Sequence, residues 1–284
     1  MKKYMIEAQG LVHEYSRRDE NGDVTEIVRA IDGVDIQVEP GAFVAVLGAN
    51  GSGKSTFARH LNALLFPTEG TLYIDGIDTS EKEQLFTVRQ RAGMVFQNPD
   101  NQIISSIVEE DVAFGPENMG IPTEQIQKRV AESLKSVGME KYRRHSPNHL
   151  SGGQKQKVAI AGIMAMKPKC IILDEATAML DPKGRKSVLE TVMRLNKEEG
   201  ITIILITHYM EEAVEADYVY VLKQGRIATE GTPRSVFAKG ELLREWGLEL
   251  PDITKIAQAL RAKGYSIAAD TLTMEELISQ LLAI

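Results

Sequence analysis

Three short clusters hold side chains whose types and spacing could do chemistry. The first is Gly48-Ala49-Asn50-Gly51-Ser52-Gly53-Lys54-Ser55, followed by Thr56, a full GxxxxGK[ST] pattern. Glycines let backbone N–H groups curl around phosphate oxygens, and a helix opening at this point adds positive partial charge. Lys54 would reach the β- and γ-phosphates of ATP, and the Ser55 hydroxyl would ligate Mg²⁺. The second cluster is Ile171-Ile172-Leu173-Asp174-Glu175, an apolar run that ends in two carboxylates. Adjacent like charges cost stability. Beside a Mg²⁺–nucleotide they take separate work, with Asp174 holding the ion and Glu175 acting as general base on water. Such a base is typically worth ~10²–10⁴-fold. Alone, the pair would equally suit a solvated acidic turn.

The third cluster is Leu150-Ser151-Gly152-Gly153-Gln154. Ser151 and Gln154 form an S-x-x-Q capping box ahead of an apolar helix. Paired glycines just inside a helix weaken it unless another backbone approaches closely. An exposed helix N-terminus is also an anion site. Two phosphate-binding elements in one chain suggest that each contacts a different nucleotide.

Short apolar β-like runs alternate with longer amphipathic segments, which predicts an α/β architecture. Strands are expected at 34–38, 43–47, 71–74, 93–96, 170–173 and 202–206. Three of them are apolar on consecutive positions, as in parallel strands buried on both faces. Segments 218–222 and 226–229 read as a hairpin through Lys223-Gln224-Gly225, and Thr232-Pro233 as a helix start. A helix is expected over 55–65, and the strand signal disappears from about 100 to 166, within a helical subdomain at about 98–166. There 123–137 and 152–166 read as helices, so a helical insert interrupts the core. After residue 238 the pattern changes. Ile253, Ile256, Ala257 and Leu260 share one helical face, as do Met274, Leu277, Ile278, Leu281 and Leu282, behind a capping box at Thr273–Glu276. The expected division is therefore 1–238 and 239–284.

The 284 residues carry a net charge of −7, with 43% hydrophobic and 26% charged side chains. This is ordinary globular composition without the basicity that nucleic acid or anionic lipid would attract. Cys170 is the single cysteine, so no intramolecular disulfide can form. The start, MKKYMIEAQG, lacks the apolar stretch of a signal peptide. The longest apolar runs fall far short of the ~20 residues that span a bilayer. The expectation is a cytoplasmic chain that can dock on a membrane protein.

In this order the motifs resemble those of ATP-binding-cassette (ABC) ATPases, over nearly all of residues 1–238. The resemblance implies a P-loop NTPase (RecA-like) core with an antiparallel β subdomain and a helical signature subdomain, here followed by a small C-terminal helical domain. It implies that Gln97 is the Q-loop glutamine, touching Mg²⁺ and water and sensing a membrane partner. Asp181, in Ala178-Met179-Leu180-Asp181, would communicate across a dimer. His208 would be the switch histidine at the γ-phosphate, and Tyr15 would stack on adenine. His13, His60, His145 and His149 match no motif and are expected on the surface or in packing. Cys170, Met164, Met166 and Met179 are expected in the core.

Gln97-Asn98-Pro99-Asp100-Asn101-Gln102 and the run Glu109–Asn118 are similar to ATPase subunits of energy-coupling-factor (ECF) transporters and their cobalt/nickel relatives. That resemblance implies a second ABC ATPase subunit, a paralogue or a second copy, as head-to-tail partner. It implies a transmembrane T component and substrate-binding S components at the cytoplasmic face of the membrane, powering uptake of vitamins or other micronutrients. A cobalt/nickel or other ABC importer is the alternative. Ala49 and Lys157 stand where many relatives carry His and Arg. With one phosphate loop and one signature, Ser151 and Gly153 of one chain would cap ATP held by Lys54 of another. ABC proteins acting on ribosomes or DNA usually carry two cassettes or a coiled-coil insertion, neither of which is present. Intact Glu175 and His208 argue against a regulator without turnover.

Overall fold

The computed structural model describes residues 3–20 and 22–283. An antiparallel ribbon of β1 (Ile6–Arg18) and β2 (Val24–Val38) leads into β3 (Phe43–Leu47) and α1 (Lys54–Leu61). Then come β4 (Glu69–Ile74), β5 (Ile77–Asp78), α2 (Leu85–Arg91) and β6 (Ala92–Val95). The helices α3 (Val108–Asn118), α4 (Thr123–Ser136) and α5 (Gly152–Ala165) follow. The chain returns through β7 (Cys170–Asp174), α6 (Pro182–Glu199), β8 (Thr202–Ile206), α7 (Met210–Ala213), β9 (Tyr218–Lys223) and β10 (Arg226–Gly231). Helices α8 (Pro233–Phe237), α9 (Gly240–Glu245), α10 (Asp252–Ala262) and α11 (Met274–Leu281) complete it.

Two sheets organise these elements. The six-stranded sheet has the order β10-β9-β3-β8-β7-β6 and is parallel except for the β9–β10 hairpin. Every residue of β3, β6, β7 and β8 is buried, which is why their sequences are apolar without alternation. The four-stranded sheet, β2-β1-β4-β5, is antiparallel. One core lies between the two sheets and takes in Phe57, Ala58 and Leu61 of α1. A second lies on the other face of the parallel sheet and joins α3, α4, α5 and α6. Helices α10 and α11 share a small cluster of Ala257, Ile267 and Leu277.

The expected α/β fold is present, with differences at particular elements. Strand β1 was not anticipated, and only the last five residues of β2 were. Residues 24–29 are exposed, so this half of the ribbon carries no apolar alternation to read. Helix α3 was likewise unmarked, although Glu109, Glu110 and Asp111 sit in its first turn, where the helix dipole favours acids. Helix α1 ends at Leu61 rather than 65, where Ala63 takes a left-handed φ of 49°. Met179 is 61% exposed instead of lying in the core. Met164 and Cys170 are buried, and Met166 packs partly against the core. On α11 only Leu277 is buried, while Met274, Ile278, Leu281 and Leu282 face outward. Among the described residues no helix is long and apolar enough to cross a membrane.

Phe57 is 1% exposed and anchors α1 between the sheets. Phe57→Ala is expected to cost roughly 3–5 kcal/mol and to lower Tm by an amount on the order of 10 °C. Differential scanning calorimetry checks this, and an unchanged Tm would contradict the packing.

Candidate active site

The loop after β3 is braced from three sides. A Cβ on Gly48 would lie 2.6 Å from the Leu222 carbonyl oxygen, and one on Gly53 would lie 2.4 Å from that of Ala30. The Gly225 N–H donates to the Ser52 carbonyl at 2.9 Å. Gly53 takes φ 105° as the N-cap of α1 and offers no side-chain cap. The first N–H groups of α1 are therefore left for a ligand. The Ser52 hydroxyl is buried without a partner. This cradle suits a phosphate group, since only glycine fits the two pinch points and unclaimed donors line it.

Lys54 is 4% exposed. Its Nζ donates to the carbonyls of Gly48 at 2.9 Å and Ala49 at 3.1 Å, and stands 3.7 Å from Glu175 Oε1. Burial lowers its pKa, opposed by the charges of Glu175 and Asp174. Ser55 Oγ donates to Asp174 Oδ1 at 3.0 Å. Burial raises the Asp174 pKa against that hydrogen bond, and the neighbouring Glu175 charge adds to the rise. The hydroxyl and carboxylate together are the hard oxygen donors that Mg²⁺ takes.

Glu175 sits in the left-handed region at φ 50°, which turns its side chain away from the path of β7. Its N–H donates to the Ile206 carbonyl at 3.0 Å, and its Oε2 lies 3.6 Å from His208 Nδ1. Gly48, Ala49, Asn50, Gln97, Glu175 and His208 line one cleft of about 850 Å³. Tyr15 is placed at the start of α1, its hydroxyl 3.4 Å from Thr56 Oγ1. It packs edge-on to His13, which packs edge-on to His60. His60 is fully buried, and burial holds its pKa down to about 4. His145 and His149 are exposed.

Neither Ser151–Gln154 nor Asp181 lines that cleft, although Arg185, in the first turn of α6, does. Ser151 caps α5 in a capping box, and Gln154 Nε2 donates to the Tyr142 hydroxyl at 2.8 Å. A Cβ on Gly153 would lie 3.0 Å from Gly184 Cα. The paired glycines thus allow the N-terminus of α5 to abut that of α6, which Asp181 caps by accepting from the Gly184 N–H. Ser151 and Gly152 remain exposed.

Several site residues escaped the sequence reading. Glu212 is 2% exposed and accepts from Thr177 and Thr207. The segment Gly247–Leu250 walls the cleft, and Glu211 accepts from the Asp252 N–H at 3.2 Å. The Arg185 guanidinium lies 3.4 Å from the centroid of the Tyr209 ring. Acidic residues on a short helix carry no local pattern that would single them out.

Because its folded pKa is raised, the Asp174 carboxylate contributes stability below its unfolded pKa and loses it as pH rises through the folded value. Its charge is a penalty at neutral pH. Asp174→Asn is expected to raise the Tm of the nucleotide-free protein at pH 7 by roughly 2–4 °C, with the gain vanishing towards pH 4, while Mg²⁺-dependent hydrolysis falls. Thermal melts across pH test this, and a lower Tm at pH 7 would contradict it.

The family model for ABC transporters matches residues 31–178. The energy-coupling factor transporter ATP-binding protein EcfA1 of Clostridium novyi (strain NT) is 53% identical over 281 residues, covering 99% of each chain. A structure of cbiO1 from Clostridium perfringens, described as part of the ABC transporter complex cbiONQ, aligns with TM-score 0.76 and 36% identity. It covers 91% of this chain and 99% of that one. A dimeric ATP-binding cassette in a post-hydrolysis state with ADP and Pi aligns with TM-score 0.70 and 33% identity, covering 81% and 99%. With the phosphate cradle, the buried lysine and the paired carboxylates in place, the chain belongs to the ABC transporter family as an ATPase of its energy-coupling factor group.

Proposed function

We propose that the chain is the ATP-hydrolysing subunit of an energy-coupling factor importer, with chemistry residing in residues of the cleft described above. The observation that carries this reading is Lys54, a buried cation facing Glu175 beside the glycine-pinched loop after β3. In this proposal the loop from Gly48 to Thr56 holds the phosphates of ATP, and Tyr15 stacks on adenine. Ser55, Asp174 and Gln97 hold Mg²⁺, which supplies charge neutralisation at the phosphates when bound. Glu175 accepts a proton from the attacking water, and His208 keeps that carboxylate oriented while facing the γ-phosphate.

Ser151, Gly152, Gly153, Gln154 and Asp181 are proposed to act on the nucleotide of a second cassette. Ser151, Gly152 and Asp181 are exposed and none of the five lines the chain's own cleft, which supports that reading. A head-to-tail pair would bury two nucleotides and part after hydrolysis. We assign residues 1–238 to the nucleotide-binding domain, with a helical subdomain at about 98–166, and 239–284 to a dimerisation domain. The pair would sit peripherally on the cytoplasmic face of the membrane beneath a T component joined to S components. The likeness to cbiO1 supports a second reading, an ATPase of a cobalt/nickel importer.

Glu175→Gln is expected to bind ATP, to lose hydrolysis by about 10²-fold or more, and to accumulate as an ATP-dependent dimer. Gel filtration with MgATP, alone and with a co-purified cassette subunit, checks this. Monomer under both conditions would contradict the scheme.

A further inference from the structure

Glu212 is a buried carboxylate to which the reading above gives no task. It stands on α7, a one-turn helix after β8, and is 2% exposed. Its two oxygens are used separately. Oε1 accepts from Thr177 Oγ1 at 2.7 Å, and Oε2 accepts from Thr207 Oγ1 at 2.6 Å. Both threonines are themselves buried, at 2% and 1% exposure. Thr177 follows Glu175 by two positions on the loop after β7. Thr207 immediately precedes His208 on the loop after β8, and its hydroxyl also accepts from the Tyr209 N–H at 3.0 Å. One carboxylate thus spans two loops that carry the two groups facing each other in the cleft, Glu175 Oε2 and His208 Nδ1, 3.6 Å apart.

The span is costly, which argues that it is retained for a reason. Burial pushes the Glu212 pKa up, while the two threonine hydroxyls, Arg185 and His208 pull it back. An apolar side chain would fill the same place without desolvating a charge. The main chain ties these loops at their bases, where the Glu175 N–H donates to the Ile206 carbonyl, and Glu212 joins them further out.

We infer that Glu212 is a positioning residue that sets the distance between Glu175 and His208 through its hydrogen bonds to Thr177 and Thr207. It stands at the wall of the cleft with both carboxylate oxygens taken by the threonines, so its effect belongs to turnover and not to ATP affinity. The inference rests on the roles proposed for Glu175 and His208.

The test compares variants of the full chain purified with its membrane partners, reading kcat, KM and the dissociation constant of a fluorescent ATP analogue. Glu212→Ala is expected to lower kcat about 10- to 100-fold, as displacement of reacting groups by about 1 Å does, with affinity within about twofold. Glu212→Gln can accept from one hydroxyl and donate to the other, and is expected to keep kcat within about threefold of the parent. Should Glu212→Ala fail to fold, Thr177→Val and Thr207→Val each remove one arm and are expected to lower kcat in the same sense.

Valine variants at parental kcat would overturn the inference. So would a joint fall of kcat and affinity, or a Gln variant no better than Ala. Glu175→Gln serves as the control. If it hydrolyses ATP at the parental rate, the roles assigned to the cleft fail. If it is inactive while both valine variants are normal, only the bridge fails.

Discussion

Everything in the active cleft depends on keeping unlike and like charges dry at the C-terminal edge of a parallel sheet. Lys54 and Asp174 are 4% and 8% exposed, and burial opposes the charged form of each. Removing ions from water costs on the order of several kcal/mol apiece. The chain offsets part of this with carbonyls of its own loop for Lys54 and with the Ser55 hydroxyl for Asp174. What remains uncompensated is an arrangement that, in the function proposed above, a phosphate and a divalent cation would complete. Binding energy and fold stability are therefore coupled here, since a ligand that binds only the folded state stabilises it.

The architecture follows from holding that edge still. The phosphate loop is pinned against Ala30 of β2 and against Leu222 and Gly225 of the β9–β10 hairpin, so both sheets clamp it. Helix α1 plugs into the core between them through Phe57 and Leu61. On the opposite face, α5 and α6 meet backbone to backbone at Gly153 and Gly184. This joins the exposed Ser151 cap and the Asp181 cap into one block. A block so built presents two helix N-termini together, and neither cap residue lines the cleft that Gly48, Gln97 and Glu175 share.

Much of this is legible in the sequence. Three of the four fully buried strands are legible as unbroken apolar runs, and the GxxxxGK[ST] spacing marks the loop after β3 to the residue. The Ser151–Gln154 capping box was readable from identity and spacing, and the close backbone approach that excuses Gly152–Gly153 exists at Gly184. The outer half of β2 is not legible, because a solvated ribbon has no apolar alternation, and in β1 the buried Ile6, Ala8 and Leu11 fall out of alternation at Gly10, where the register shifts. Met179 and the outer face of α11 misled for the opposite reason, since apolar identity gives no direction without a partner to face. Glu212 was invisible because its meaning lies in two threonines contributed by distant loops.

The central claim is that one chain contributes half of each nucleotide site and another cassette the remainder. Cys170 is buried and is the only cysteine, so Asn148→Cys, at an exposed position three residues before Ser151, would give the chain a single reactive thiol beside the α5 cap. The most direct measurement attaches a photoreactive maleimide there, irradiates native membranes with and without MgATP, and sequences the captured peptide. The account predicts an ATP-dependent cross-link to the phosphate loop of a second cassette chain. Capture of peptides from this same chain's surroundings alone, unchanged by ATP, would contradict it.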